Sequence, residues 1–172
     1  MFGVLSVFLP ADIAAAEDLI AQLRAKKMTL CTAESCTGGL IVGLLTEVPG
    51  ASDVVDRGLV TYSDAAKIDA LGVSAKLMAD HGAVSPHVAL AMADGALART
   101  KANLSIAVTG IAGPGGGTPH KPVGLVYLAA QVRGHAAVAS RLQLGDIGRT
   151  AVRLETVRAA LALCGQALDK EP

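Results

Sequence analysis

The sequence has few of the residues that mark several large classes of protein. It contains no tryptophan, two tyrosines and two phenylalanines among 172 residues. Aromatic platforms for stacking the bases of single-stranded nucleic acids are therefore not expected. Lysine plus arginine equals aspartate plus glutamate, at 15 each, so no basic excess is available to bind a polyanion. We expect no direct nucleic-acid partner.

Cysteine and long apolar runs are also scarce. The three cysteines form no Cys-x-x-Cys pair, which disfavours a disulfide framework and favours a reduced, cytoplasmic compartment. No run of apolar residues is long and uncharged enough to span a bilayer. The apolar start, residues 1–10, lacks the basic lead-in and the cleavage site of a signal peptide. We expect a cytoplasmic protein without a membrane partner.

The histidines do not suggest a metal site. The spacing between the four of them matches no common ligand pattern; they are His81, His87, His120 and His135. We therefore expect no metal, no cofactor and no Ser-His-Asp triad.

What the sequence does contain is a large supply of small aliphatic residues. Hydrophobic residues make up 52% of the chain, enough for one well-packed domain over residues 1–172. Helical and strand-like stretches alternate early, and two strand-like stretches, 123–132 and 135–144, form a late hairpin. The pattern predicts an α/β fold: a three-layer α/β/α sandwich with a mostly parallel sheet and an antiparallel edge.

One stretch, residues 32–39, places hydroxyl, thiol and glycine residues where a predicted strand turns into a predicted helix. Free backbone N–H groups and the positive end of a helix suit an anion or a developing oxyanion at such a place. Ser35 is therefore a candidate nucleophile, and Thr37 and Gly38 are candidate binding residues. The alternative is that Ser35 and Thr37 only cap the helix.

A second stretch, residues 109–119, is too rich in glycine and proline for a helix or strand, and it follows a buried strand predicted over residues 104–108. Glycines let backbone N–H groups approach a phosphate closely. Candidate binding residues are Thr109, Gly110, Gly113 and Gly115. The stretch is not a Walker A loop, because a glycine stands where the lysine is needed. The alternative is a flexible surface loop.

Tyr62 and Lys67 form the third feature. Ser63 is a predicted N-cap, so Lys67 lies in the first turns of the following helix, where the helix dipole disfavours a cation. Its pKa should fall, and burial would lower it further, so that it can act as a base toward a serine. Tyr62 would relay or orient the proton. The alternative is an exposed lysine and a tyrosine at a sheet edge.

Three of these segments leave the carboxyl ends of predicted strands, where ligands bind in open α/β sheets. We therefore predict that Ser35, Tyr62 and Thr109 converge on one crevice. Arg149 and Arg153, one helical turn apart, are predicted to face one anion together, although a solvated helix face is the commoner alternative.

Cys36 is a rival nucleophile beside Ser35. Adjacent residues in a turn point in different directions, so at most one of the two is expected to face the crevice. Free cysteines are often simply buried.

Three blocks together resemble one known family. They are Ala33-Glu34-Ser35-Cys36-Thr37-Gly38-Gly39, Gly58-Leu59-Val60-Thr61-Tyr62-Ser63 with Lys67, and Ala107-Val108-Thr109-Gly110-Ile111-Ala112-Gly113-Pro114-Gly115-Gly116. The chain is similar, over nearly its whole length, to the CinA carboxy-terminal domain family of nicotinamide-nucleotide amidohydrolases. Many relatives carry a further amino-terminal domain, and this chain looks like the stand-alone form.

The resemblance implies a bacterial, metal-independent amidase of pyridine-nucleotide salvage. Such an enzyme converts nicotinamide mononucleotide into nicotinate mononucleotide and ammonia. By position, Ser35 matches the family's nucleophile, Tyr62 and Lys67 its activating partners, and Thr109 and Arg149 further site residues. The sequence departs from the family before the last helix, where the Gly-Asp pair that usually precedes the arginine is out of phase with Arg149.

The residues and the resemblance lead to one hypothesis. Lys67, helped by Tyr62, takes the proton of Ser35, which attacks the carboxamide, while the glycine-rich loop or Arg149 holds the 5′-phosphate. The alternative is a nucleotide-binding module without turnover, acting in competence or the response to DNA damage. A homo-oligomer is a further expectation.

Overall fold

The computed structural model describes residues 6–170. Residues 1–5, on which part of the signal-peptide expectation rests, lie outside this range, as do the last two residues. The helices of the described part are α1 (Pro10–Ala25), α2 (Leu40–Thr46), α3 (Asp64–Leu71), α4 (Ala75–His81), α5 (Pro86–Arg99) and α6 (Arg149–Asp169). Its strands are β1 (Leu30–Glu34), β2 (Val55–Val60), β3 (Leu104–Gly110), β4 (Leu125–Val132) and β5 (Val138–Gln143).

The strands form one mixed sheet in the order β2-β1-β3-β4-β5. The strand β1 pairs in parallel with both β2 and β3, and β4 pairs antiparallel with β3 and β5. Among these strands, β4 alone runs against the common direction. The predicted α/β fold with a hairpin at one edge is therefore confirmed.

Helices cover both faces of the sheet. The strand β3 is buried on both sides: Leu104, Ile106 and Val108 belong to the apolar layer under α1, α2 and α6, whereas Ala107 belongs to the layer under α5. This alternation follows from the two-residue period of a strand. Small alanines on α5 let that helix lie close to the sheet. The three-layer arrangement leaves the carboxyl ends of β1, β2 and β3 at one edge.

Serine caps fix the starts of three helices. The side chains of Ser63, Ser74 and Ser85 accept hydrogen bonds from backbone N–H groups three residues ahead, which satisfies donors that a helix start leaves free. Ser63 was the predicted cap, and α3 indeed begins at the next residue, Asp64. Among residues 6–170, no helix combines the length and the apolar character needed to cross a membrane.

Two predicted bounds were wrong for identifiable reasons. By residue type, Asp12 is the nearest candidate to cap α1. The helix nevertheless begins at Pro10, which is suited to the first helical position, and the carboxylate of Asp12 accepts the N–H of Leu9. The first strand was expected to end at Thr32. It continues to Glu34, because Glu34 is still in register with β2 and β3.

Candidate active site

The segments that follow β1, β2 and β3 meet at one cavity of about 230 Å³. Its lining residues are Ser35, Cys36, Tyr62, Asp64, Lys67, Ala83, Val84, Thr109, Gly110, Ala112 and Arg149. The predicted convergence of Ser35, Tyr62 and Thr109 on one crevice is therefore confirmed. Larger cavities of about 420 and 460 Å³ lie between α3, α4 and α5 and between α1 and α6, but they contain none of these residues.

Ser35 and Lys67 form the centre of the cavity. The Lys67 ammonium nitrogen Nζ lies 3.3 Å from Ser35 Oγ and donates to the carbonyl oxygen of Thr61 at 3.1 Å. Lys67 is 2% exposed and Ser35 is 8% exposed. The contact to Thr61 holds one N–H of the amine and leaves the nitrogen facing the serine hydroxyl.

Burial lowers the pKa of Lys67 below its ordinary value of 10.5, as the sequence predicted. Loss of hydration is the main cause, because a buried amine keeps its charge less readily. The carboxylate of Asp64, 4.0 Å from Nζ and largely exposed, acts in the opposite direction. A lysine that loses its proton more easily beside a serine hydroxyl is suited to the role of general base.

The start of α2 is occupied by a side chain of the protein itself. The carboxylate of Glu34, fully buried, accepts the N–H groups of Gly39, Ile41 and Val42 at 2.9–3.0 Å, and also the hydroxyl of Thr32. The expectation that this positive helix end receives an external anion was therefore wrong. The sequence signal for this arrangement was Glu34 itself, an acidic residue four positions before the Gly38-Gly39 pair.

The turn between β1 and α2 is fixed on several sides. The N–H of Ser35 donates to Val108 O at 3.2 Å, and the N–H of Gly38 donates to Ser35 O at 3.0 Å. Gly38 has a φ of +62°, a conformation that glycine adopts without a steric penalty. Within residues 6–170, the N–H groups of Cys36 and Thr37 have no acceptor on another residue. These two N–H groups, rather than the helix end, are free to bind an oxyanion; of the two residues, Cys36 lines the cavity and Thr37 is its neighbour in the turn.

Arg149 and Arg153 do not face one anion together. Arg149 lines the cavity, where Nη2 donates to the Tyr62 hydroxyl at 2.6 Å and Nη1 to Gly113 O at 2.9 Å. Arg153 instead donates to the carbonyl oxygens of Cys36 and Thr37. Tyr62 is 58% exposed and bonds to Arg149, not to Lys67. Tyr62 and Arg149 therefore form the rim of the cavity.

Thr109 and the segment after α4 form the opposite wall. The Thr109 hydroxyl donates to Ala83 O at 2.8 Å, which ties the end of β3 to the chain between α4 and α5. Ala83 and Val84 line the cavity, although no polar or glycine signal marked them in the sequence. Asp64, also missed, could have been found from its place three residues before Lys67 on α3.

Cys36 contributes to the cavity lining together with Ser35, contrary to the expectation that only one of the two would. Its side chain nevertheless packs in the apolar layer under α1, α2 and α6. Burial raises the pKa of the Cys36 thiol to about 11, so the thiol stays protonated at neutral pH and is a poor nucleophile.

Four residues predicted to bind substrate are not among those that line the cavity: Thr37, Gly38, Gly113 and Gly115. Thr37 and Gly38 shape the turn, and Gly113 accepts the hydrogen bond of Arg149. Residues 114–120, just beyond Gly113, are exposed. In the described residues, no group of three or more histidine, cysteine or acidic side chains is arranged to hold a metal ion.

Comparison with known proteins finds a matching family model and relatives whose names agree with it. The family model described as the CinA C-terminal domain matches residues 12–168. A "CinA-like protein" from Akkermansia muciniphila is 45% identical over 166 residues, covering 96% of this chain and 40% of that protein. A "Putative competence-damage inducible protein" from Moorella thermoacetica is 46% identical, covering 85% of this chain and 35% of that protein. The chain thus spans about two fifths of the length of these relatives.

Solved structures agree over nearly the whole chain. The competence/damage inducible protein CihA from Agrobacterium tumefaciens has a TM-score of 0.93 and 50% identity, covering 96% of this chain and 100% of that one. The competence damage-inducible protein A from Klebsiella pneumoniae has a TM-score of 0.88 and 35% identity, covering 94% and 99%. These names describe how the proteins are induced and do not state a chemical reaction.

Proposed function

Since this chain belongs to the CinA C-terminal domain family, we propose that it is an amidohydrolase that converts nicotinamide mononucleotide into nicotinate mononucleotide and ammonia. One observation carries the proposal: the Ser35 hydroxyl lies 3.3 Å from the buried Lys67 amine. A hydroxyl beside a lysine of lowered pKa is the pair that metal-independent acyl transfer needs. The choice of nucleotide amide comes from the resemblance of the three sequence blocks.

The reaction begins with transfer of the Ser35 proton to Lys67. Ser35 Oγ bonds to the carboxamide carbon, and the carbonyl oxygen becomes an oxyanion that the N–H groups of Cys36 and Thr37 stabilise. Lys67 then returns its proton to the leaving nitrogen, so ammonia departs and an ester to Ser35 remains. Lys67 next takes a proton from water, whose oxygen bonds to the ester carbon. The bond from that carbon to Ser35 Oγ then breaks, Lys67 returns the proton to Ser35 Oγ, and nicotinate mononucleotide leaves.

Tyr62 and Arg149 act at the rim in this proposal. Arg149 carries the positive charge that a 5′-phosphate requires, and its fork of donors suits phosphate oxygens. Its hydrogen bond from Nη2 to Tyr62 holds both side chains in place at the rim. The exposed glycine-rich segment that follows Gly113 is the other group available to the phosphate.

The test is ammonia release from nicotinamide mononucleotide, with a chelator present and with Ser35→Ala compared against Cys36→Ala. Loss of the nucleophile should lower kcat by about a thousandfold or more, whereas Cys36→Ala should keep most of the activity. Activity lost in Cys36→Ala but retained in Ser35→Ala would contradict the assignment. Nucleotide binding without ammonia release by the unmutated chain would instead support the binding module.

A further inference from the structure

The turn that carries Ser35 presents two successive carbonyl groups to one guanidinium. Arg153 Nε donates to Cys36 O at 3.1 Å, and Nη2 donates to Thr37 O at 2.8 Å. Arg153 lies in the second turn of α6, is partly buried, and does not line the cavity. It reaches the site only through the backbone of the turn.

Holding a carbonyl group also sets the direction of the N–H in the same peptide unit. A trans peptide is planar, and its C=O and N–H point in opposite directions. Fixing Cys36 O therefore aims the Thr37 N–H away from Arg153. The bond from Gly38 N–H to Ser35 O fixes the preceding unit, and hence the Cys36 N–H, in the same manner. A cation at a carbonyl oxygen also polarises the peptide, which strengthens its N–H as a donor.

The glycine in this turn supports the same reading. A Cβ atom added to Gly38 would lie 3.3 Å from Arg153 Nη2, and the residue has a φ of +62°. A side chain at this position would therefore be strained and would crowd the guanidinium. The local backbone thus leaves room for Arg153 at Thr37 O.

We propose that Arg153 is the positioning residue for the oxyanion-binding donors: its bond to Cys36 O orients and polarises the Thr37 N–H, and its bond to Thr37 O orients the Gly38 N–H that holds Ser35 O and, through that peptide group, the Cys36 N–H. This inference rests on the proposed function, because it concerns the oxyanion of the same reaction. It assigns the stabilisation to the turn rather than to the helix end, which Glu34 already fills. The charge of Arg153 acts through the backbone and never touches substrate.

The experiment compares Arg153→Met and Arg153→Lys with Arg158→Met. Arg158 lies on the same helix and is also held by hydrogen bonds, but it donates to the carboxylate of Asp12 on α1 and not to the turn that carries Ser35. Loss of one aligned oxyanion donor costs about a hundredfold in kcat, and KM should change little because ground-state contacts remain. Arg153→Lys should recover part of kcat, and Arg158→Met should lower stability while keeping kcat.

A second readout does not depend on the amide substrate. With a fluorophosphonate ester, Lys67 takes the proton of Ser35, Oγ bonds to phosphorus and fluoride leaves, while the phosphoryl oxygen lies in the oxyanion position. Labelling should be slowed to a similar extent in Arg153→Met and should be unchanged in Arg158→Met. An unmutated chain that releases no ammonia but labels in this pattern would refute the amidase and support the role of Arg153. Equal labelling and equal kcat in the two methionine variants, or no labelling of the unmutated chain, would overturn the inference.

Discussion

When a lysine is the general base, the reaction rate depends on how far burial of its side chain lowers its pKa. An exposed lysine is almost fully protonated at neutral pH and therefore cannot accept a further proton. Lys67 is different because its pKa is lowered by burial, whereas the Asp64 carboxylate opposes this effect. The acid side of the pH profile should therefore report the balance between loss of hydration and one nearby charge.

We predict that Asp64→Asn moves the acid limb of the kcat/KM profile to lower pH. Removal of the carboxylate lowers the pKa of Lys67 further, so the neutral amine persists at more acidic pH. Asp69→Asn, an exposed carboxylate on the same helix, should leave the limb in place. The measurement is ammonia release against pH for the three proteins, and a limb that moves to higher pH in Asp64→Asn would contradict the assigned base.

The same shift affects folding. Between the lowered folded pKa of Lys67 and its ordinary value of 10.5, the unfolded chain binds more protons than the folded chain, so stability rises with pH. Lys67→Met should remove this part of the slope in urea unfolding measured across that range. A slope equal to that of the unmutated chain would show that Lys67 is not desolvated.

At the residue scale, the sequence identified side chains better than it identified their partners. Lys67 followed from the Ser63 cap, because a cap fixes the position of every residue in the next turn. The partner of Arg153 could not be predicted, since helical spacing places Arg149 and Arg153 on one side of α6 but does not show which loop each one reaches. Glu34 was missed for a different reason: its four donors are close to it in sequence, but they come together only because β1 continues to Glu34.

At the scale of elements, α3 is positioned by a glycine in α5. A Cβ atom at Gly95 would overlap the carbonyl oxygen of Leu71 at the end of α3 and lie 3.2 Å from Leu71 Cβ. Arg99 Nη1 donates to the same carbonyl at 2.8 Å. The end of α3, the helix that carries Lys67, is thus in direct contact with the backbone of α5. The distance between the two helices depends on the absence of a side chain at Gly95.

We predict that Gly95→Ala lowers the free energy of unfolding by about 1–3 kcal/mol, because the added methyl group is overpacked. It should also lower kcat severalfold, since a displaced α3 moves Lys67 away from Ser35. Gly165→Ala on α6 is the control, as no atom lies within 4 Å of its added Cβ, and it should stabilise by about 0.5–1 kcal/mol. Chemical denaturation and ammonia release measure both effects; equal stability in the two variants would exclude the contact.

The elements themselves were largely predictable because their signals are local. Serine caps fixed the starts of α3, α4 and α5, and glycines ended α3 and α4. A buried apolar run indicated β3 over residues 104–108, although the strand continues to Gly110. The strand ends were less predictable, because a strand continues only as long as its neighbours pair with it. Glu34 thus belongs to β1 through Val60 and Val108, and neither partner is near it in sequence.

At the scale of the whole molecule, one ion pair joins the first helix to the last. Arg158 Nε and Nη2 donate to the two oxygens of Asp12 at 2.6 and 3.1 Å, although 146 residues separate them in the chain. Asp12 is 6% exposed. The pair joins α1 to α6 on one face of the sheet. The hydrogen bonds from Arg158 also hold the pKa of Asp12 below its ordinary value.

We predict that Asp12→Asn lowers the free energy of unfolding at pH 7 by about 1–3 kcal/mol, because a charged hydrogen-bonded pair is broken inside the protein. The carboxylate has a lowered folded pKa, so its contribution is present above its ordinary value of 3.8 and is lost as the pH falls through the folded pKa. The difference between the variant and the unmutated chain should therefore narrow in acid. The measurement is urea unfolding at pH 7 and near pH 3.

The control is Asp18→Asn, an exposed carboxylate on the same helix, which should change stability little at either pH. A difference for Asp12→Asn that persists unchanged in acid would mean that the carboxylate charge contributes nothing. Kinetic constants should stay the same in both variants, because α1 contributes no residue to the cavity.

The turn that carries Ser35 is held by hydrogen bonds, whereas the chain beside the rim of the cavity is exposed. This difference affects how the sequence of such a protein can change in evolution. Ser35 and its neighbours are held by β3, α2 and α6, so mutations there damage chemistry and packing together. Residues 114–120 follow the cavity wall and are exposed. Gly116 has a φ of +84° and Gly117 lies against Val123, so the other positions of this segment are those that can vary at little cost to the fold. Under the proposed function, relatives that exchange this exposed segment can differ in the substrates that they accept while they keep the Ser35–Lys67 pair unchanged.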